Sequence, residues 1–155
     1  MAEHEIGVIS DTHGLLRPEV TNALCGVERI IHAGDIGNPD LLDQLENIAP
    51  VVAVRGNVDR GLWSETLPDT QVVQVGDHYL YVLHDLNGLD LDPVAAGFSA
   101  VIFGHTHHPL VEWKQNVLYL NPGSAGPRRF SLPVSLARLS ISGANLTARL
   151  IELDV

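Results

Sequence analysis

Side chains able to hold metal ions recur along this chain, each time directly after a short apolar run. Asp11-x-His13-Gly14 follows the run 6–9, and Gly34-Asp35 follows 29–32. Gly56-Asn57-Val58-Asp59 follows 51–54, His84 closes 79–83, and Gly104-His105-Thr106-His107 follows 100–103. Aspartate, histidine and asparagine offer carboxylate or amide oxygen and imidazole nitrogen, with no thiolate. That mixture suits Mn, Fe, Co, Ni or Zn, whereas an all-oxygen set would suit Mg or Ca. One ion takes roughly four to six ligands including water, so Asp11, His13, Asp35, Asn57, His84, His105 and His107 exceed a single site. Two divalent ions sharing a carboxylate is the natural arrangement, and Asp35 or Asp11 has the two oxygens to bridge. The D-x-H and H-x-H spacings put both side chains on one side of an extended segment. Singly, each motif is no more than a turn or a surface histidine. In order, and each after a buried run, they define a metal centre.

The elements that would position these residues alternate at first between strand and helix. Residues 5–10, 29–32 and 51–54 read as buried strands. Between them lie a helix opening at Pro18, with a stripe of Val20, Ala23 and Leu24, and a second over 39–48 with Leu41, Leu42 and Leu45. Such alternation predicts parallel pairing. After Leu67 the chain becomes strand-rich. Residues 70–75 and 79–83 flank a Gly76-Asp77 turn, 110–113 and 117–120 flank Gln115-Asn116, and 134–141 turns at 142–145 into 146–153. A buried strand is expected at 100–103 and a short helix at 92–98. About ten strands in one chain predict an α/β (α+β) fold, a four-layer αββα sandwich of two mixed sheets flanked by helices. The ligand motifs then fall at the carboxyl ends of strands, where α/β sheets build their sites.

Composition narrows the partners. The length, 155 residues, predicts a single domain over 1–155. The net charge of -10 argues against a long nucleic-acid partner, which requires clustered Lys and Arg. Arg17, Arg55, Arg60, Arg128 and Arg129 lie beside glycine-rich loops and as a group point towards the site. No stretch approaches the roughly 20 apolar residues of a membrane span. The acidic start does not resemble a signal peptide, and one cysteine excludes an internal disulfide, so a cytoplasmic location is expected. Cys25 is expected to be a small core residue, His4 and His78 to lie on the surface, and His32 to support the site from the interior. Homo-oligomerisation is left open.

Taken together, Asp11-x-His13, Gly34-Asp35, Gly56-Asn57-x-Asp59, His84 and Gly104-His105-x-His107 resemble the calcineurin-like metallophosphoesterases, in particular their small single-domain bacterial and archaeal phosphodiesterase branch. Ser10-Asp11-Thr12-His13-Gly14 and Asn121-Pro122-Gly123-Ser124 match that branch too. The resemblance implies a dinuclear centre, with Mn foremost among the metals. Asp11, His13, Asp35 and His107 would hold one ion, and Asn57, His84 and His105 would complete the second around a bridging Asp35. Two positions depart from the wider superfamily. Val58 stands where many phosphatases carry a histidine, and Asp85 stands where relatives often have glycine. Asp59 is expected to hydrogen-bond a ligand rather than bind metal, and Asp85 either hydrogen-bonds an imidazole or faces water.

The chemistry expected is in-line attack on a small phosphate ester by a metal-held hydroxide, with Asp35, Asn57 and His105 the residues closest to the reaction. No covalent nucleophile is required, so Ser10, Ser124 and Cys25 are read as structural. Without a histidine at 58, aryl phosphodiesters should outrun alkyl monoesters, since general acid help commonly contributes about 10²–10⁴-fold. Arg128 or Arg129 is expected to grip a substrate phosphate. The competing readings are a non-catalytic scaffold of the same fold, a nucleotide monoester phosphatase, and a nuclease. Low aromatic content, 5%, disfavours the last.

Overall fold

A computed structural model describes residues 3–155. In chain order the first half comprises β1 (Glu3–Ile9), α1 (Pro18–Ala23), β2 (Arg29–His32), α2 (Pro39–Glu46), β3 (Val51–Ala53), a 3-10 helix at Leu62–Thr66, β4 (Thr70–Val75) and β5 (His78–Leu83). A 3-10 turn at Leu86–Gly88, α3 (Pro93–Ala96), β6 (Ala100–Ile102), β7 (Leu110–Lys114), β8 (Val117–Asn121), β9 (Ser135–Ser142) and β10 (Asn145–Glu152) follow. Two five-stranded sheets result, ordered β10-β9-β1-β2-β3 and β4-β5-β6-β8-β7. Each has a parallel core of three strands, β1-β2-β3 in one and β5-β6-β8 in the other, bordered by antiparallel strands. This is the sandwich expected from the sequence.

Alternation of side chains along the strands builds the layers. Ile6, Val8, Ile31, Val82, Ile102, Leu120 and Leu139 meet between the sheets. The opposite face of the first sheet presents Ile9, Ile30 and Leu136 to Val20 of α1, to Leu24 directly after it, and to Leu41 and Leu45 of α2. Pro18 opens α1 and the Asn38 side chain accepts the Leu41 N–H to cap α2. Each wholly buried Leu or Ile contributes about 1.5–3 kcal/mol. The outer face of the second sheet carries Tyr81, Leu83, Val101 and Phe103 under Leu86, Leu89, Leu91 and Phe98.

That last layer is thinner than expected. The helix anticipated at 92–98 spans only Pro93–Ala96, because Gly97 turns left-handed at φ 82° and ends it. The run 51–54 is not uniformly buried: β3 is an edge strand with Val51, Val52 and Ala53 half-buried, and only Val54 lies fully inside. Cys25 is exposed rather than in the core. Leu24, wholly buried, takes the inward position at the end of α1 and sends its neighbour to solvent. His4 and His78 are partly covered, bonded to Glu28 and to Ser99 and Gly143 respectively. Gln115 and Asn116 adopt φ 51° and 63°, the primed two-residue turn that joins β7 to β8.

Candidate metal centre

The parallel strands of both sheets end at one edge, and the loops there carry every candidate ligand. These loops hold unusual backbone. Asp11, His13, Asp35, His105 and His107 all have left-handed φ, between 47° and 75°. Such conformations cost a non-glycine residue roughly 1–3 kcal/mol each and persist only where neighbours enforce them. The enforcement is visible. Asp11, His13 and Gly14 donate N–H bonds to the carbonyls of Gly34, Asp35 and Ile36 at 3.0, 2.9 and 2.7 Å, extending the β1–β2 pairing beyond the strands. The buried Asp59 carboxylate accepts from Ile36, Gly37 and Gly56 N–H, tying the loop after β2 to the loop after β3. His32 has no exposed surface; its Nδ1 accepts the Gly34 N–H at 3.1 Å and its Nε2 bonds Thr12 Oγ1 at 2.9 Å. Asn121 Nδ2 donates to Gly104 O and Thr106 Oγ1, and Ser124 Oγ donates to Asp11 O. Glycine is required where a carboxylate packs on backbone: a Cβ on Gly56 would lie 2.1 Å from Asp35 Oδ1, and one on Gly104 would lie 2.8 Å from Asp11 Oδ2.

Six of the seven predicted ligands fall into two adjoining clusters, Asp11–His13–His107 and Asp35–His84–His105. The seventh, Asn57, joins the second: its Oδ1 lies 3.1 Å from His84 Nε2 and 3.2 Å from His105 Nδ1. In the first cluster Asp11 Oδ1 sits 3.5 Å from His107 Nε2 and 3.9 Å from His13 Nε2. Asp35 Oδ2 lies between the clusters, 3.6 Å from His13 Nε2 and 3.2 Å from His84 Nε2. Its other oxygen, Oδ1, accepts the Val58 N–H at 3.0 Å, so one oxygen is anchored and the other faces the centre. Ligand atoms about 2.1 Å from a common ion stand roughly 3–3.5 Å apart; the contacts of Asp35 with His84, of Asp11 with His107 and of Asn57 with both its histidines have that spacing, and those to His13 are longer.

The donor set fits divalent metal. Asp11 Oδ1, His13 Nε2 and both ring nitrogens of His107 are buried with no hydrogen-bond partner among the described residues. An orphaned buried polar atom costs about 1–3 kcal/mol, and a cation on converging lone pairs removes that cost. The His84 Nδ1–H donates to Ala33 O at 2.7 Å, which leaves Nε2 as the lone-pair atom facing Asp35 and Asn57. For His105 the order is reversed. Nδ1 faces Asn57, and Nε2 lies 3.8 Å from Asp85 Oδ2.

Electrostatics divide the centre. Burial pushes the Asp11 carboxyl up, opposed by the nearby His84 charge. Burial acts the same way on Asp35, yet its bonds to His84 and to the Val58 N–H prevail and hold it below the ordinary carboxylate range. His84 is raised: burial works against its charge, but Asp35 and Asp11 outweigh it. His107 is lowered to about 4 by burial and then by the Arg129 charge. His32 is lowered to about 3 by burial, with His84 adding to the effect.

A cleft of about 630 Å³ opens beside the second cluster, with Asn57, His84 and His105 on one wall and Arg60, Glu65 and Asp85 on others. Its shape is not legible in the residues alone, because the 3-10 helix at Leu62–Thr66 that helps build it lies in a stretch without periodicity. The two arginines expected to grip phosphate part company. Arg129 is near enough to depress His107, whereas the Arg128 guanidinium donates to Leu132 O and Val155 O at 3.4 and 3.3 Å. Asp59 bonds the backbone of the ligand loops rather than a ligand side chain, while Asp85 faces His105. Thr12 and Asn121 also brace those loops, and the signal that marks them is position, inside a ligand motif and at the end of a parallel strand.

A two-sheet sandwich with aspartate, histidine and asparagine converging at its strand ends defines a metal-dependent hydrolase of phosphate esters. Residues 5–144 match the calcineurin-like phosphoesterase superfamily domain, and the chain belongs to that superfamily. It is 38% identical to a probable metallophosphoesterase of Methanothermobacter thermautotrophicus, over 95% of this chain and 91% of the relative. It is 30% identical to a phosphodiesterase of Methanocaldococcus jannaschii, over 77% of this chain and 82% of the other. Vps29 of Chaetomium thermophilum shares the fold, with a TM-score of 0.79 over 97% of each chain at 17% identity. No helix among the described residues is long and apolar enough to cross a membrane.

Proposed function

We propose that the chain is a phosphodiesterase working with two divalent ions, manganese foremost and Fe, Co, Ni or Zn as substitutes, on a small phosphodiester in the cytoplasm. Asp11, His13, His107 and Asp35 would hold one ion, and Asp35, Asn57, His84 and His105 the other. The carrying observation is the place of Asp35 Oδ2 between the two clusters, 3.6 Å from His13 Nε2 and 3.2 Å from His84 Nε2. When bound, such a pair supplies Lewis acidity towards phosphoryl oxygens and lowers the pKa of water held there.

The chain's own residues do the rest. Asp35, fixed through Oδ1 by the Val58 N–H, keeps its free oxygen at the centre. Ala33 O orients His84 through Nδ1–H, which leaves Nε2 and Asn57 Oδ1 as neighbouring lone-pair donors, and Asp85 lies beside His105 Nε2. Arg129 contributes positive charge beside His107 and is the candidate grip on a phosphate oxygen. Attack in line would form a new P–O bond as the ester P–O bond breaks; the water's proton passes to solvent, and the leaving oxygen departs as an anion because Val58 is aliphatic and has no proton to give. Esters with good leaving groups are therefore preferred. The test strips the protein with chelator, restores each metal in turn, and compares bis(p-nitrophenyl) phosphate with an alkyl monoester. Two bound ions per chain and an aryl-diester rate about 10² or more above the alkyl monoester are expected. Faster turnover of the alkyl monoester would overturn the reading.

A further inference from the structure

The cleft beside the second cluster is far larger than a phosphate needs. Its volume, about 630 Å³, lies within the roughly 300–1,000 Å³ of whole small-molecule sites. Most of it therefore surrounds something attached to the scissile phosphate: one arm of the ester. The charges on its walls indicate what that arm carries. Arg55 donates through Nε and a terminal nitrogen to Asp69 Oδ1 at 3.1 and 2.8 Å, so this pair is internally satisfied. The Asp59 carboxylate is filled by backbone N–H groups. Arg60 is different. Among the described residues its guanidinium has no hydrogen-bond or ion-pair partner, although Glu65 and Asp85 line the same cleft and the chain carries nineteen acidic residues.

Its backbone is fixed nonetheless. Asp59 before it is clamped in the interior. Gly61 after it takes φ 100° and starts the 3-10 helix, whose Ser64 Oγ donates to Gly61 O at 2.9 Å. Arg60 is exposed and lines the cleft, so its guanidinium is free to make forked, charge-assisted hydrogen bonds to an anion that enters there.

We propose that Arg60 determines specificity by binding an anionic oxyacid group, a carboxylate or a second phosphate, on the substrate arm that occupies this cleft. The inference rests on the phosphodiesterase reading and adds the chemistry of the arm. Glu65 and Asp85 repel an anion elsewhere on the walls, so the preference belongs to Arg60 alone.

The test is calorimetric binding of two product-like monoesters to the metal-loaded protein, butyl phosphate and 3-carboxypropyl phosphate. They share the phosphate and the chain length and differ in one carboxylate. The wild type is expected to bind the carboxylated ester about 10-fold more tightly. Arg60→Ala should abolish or invert that ratio, Arg60→Lys should restore part of it, and Arg129→Ala should leave it intact. Equal binding of the two esters by the wild type, or a ratio that survives Arg60→Ala, overturns the proposal. Hydrolysis of bis(p-nitrophenyl) phosphate by the same preparation keeps the two readings apart. Turnover with equal binding refutes only the role of Arg60, whereas no turnover with any metal refutes the phosphodiesterase reading beneath it.

Discussion

His32 makes the stability of the metal-free protein depend on pH in a way its surroundings determine. The ring is wholly buried, accepts the Gly34 N–H through Nδ1, and bonds Thr12 Oγ1 through Nε2. Thr12 Oγ1 donates its own proton to Ile36 O at 2.8 Å, so it must accept from His32, and the neutral Nε2–H tautomer satisfies every partner. The folded ring accepts a proton only near pH 3, against 6.5 when unfolded. The unfolded chain therefore binds this proton first as pH falls. The contribution is complete above about pH 6.5 and is lost progressively towards pH 3. At 1.36 kcal/mol per unit, the loss is about 2 kcal/mol by pH 5 and about 4 kcal/mol by pH 3. Urea unfolding of chelator-stripped wild type and His32→Asn at pH 7 and pH 5 isolates this term. The variant starts less stable, because two hydrogen bonds are altered, but it should lose about 2 kcal/mol less across the interval. Proton NMR of the native state gives a second readout. An identical pH dependence in both proteins, or a His32 ring that titrates near pH 6.5 in the fold, would refute the reasoning.

Other perturbations test the centre itself. Asp35→Asn removes the shared carboxylate; metal content by mass spectrometry should fall from two ions per chain to one or none, and kcat/KM by about 10³-fold or more. Retention of two ions would remove Asp35 from its bridging place. Val58→His installs a proton donor on an exposed position whose backbone N–H keeps its bond to Asp35. It should raise alkyl-monoester turnover by about 10-fold or more while changing aryl-diester turnover little; no selective gain would separate leaving-group help from this position. Metal uptake should release protons, because His84 is raised and must give up its proton to bind, whereas His107, with a pKa of about 4, is already neutral at pH 7. Calorimetry in buffers of different ionisation enthalpy measures this. Uptake that releases no proton between pH 6 and 7 contradicts the assigned state of His84.

The ligands were legible because strand ends place them. An apolar run followed closely by a metal-binding side chain is a local pattern; Asp35, Asn57 and His105 show it with a glycine directly before them, and Asp11 and His84 show it without one. The left-handed backbone at five ligands was not legible: nothing in the letters says that Asp11 or His107 will be forced to positive φ by neighbours far along the chain. The roles of Arg128 and Arg129 could not be told apart from adjacent letters either, since one residue's shift along an irregular loop decides which guanidinium meets His107 and which meets the carbonyls of Leu132 and Val155. Asp59 looked like a partner for a ligand side chain and instead holds backbone. A carboxylate three residues from Gly56 is within reach of several amides, and only the fold decides among them. Cys25 is exposed because α1 ends at Ala23, two residues before it, so the helical stripe does not reach it.

The two sheets contribute unequally to the centre, and that inequality has a mechanical consequence. The first sheet supplies the oxygen ligands Asp11, Asp35 and Asn57 with one imidazole, His13; the second supplies imidazoles only, His84, His105 and His107. Contacts between the two sets include Asp35 with His84 at 3.2 Å and Asp11 with His107 at 3.5 Å, so a cation at either cluster joins one sheet to the other. Metal should then behave as a cross-link between the layers. At about a hundred times its Kd, each ion adds about 2.7 kcal/mol to the folded state. Because the native state is held from both sides, hydrogen exchange should slow in β1 and β2 and equally in β5 and β6 when metal is restored to stripped protein. If protection rises in one sheet alone, the ions are bound by that sheet's loops alone, and the sandwich contributes only the position of its edge.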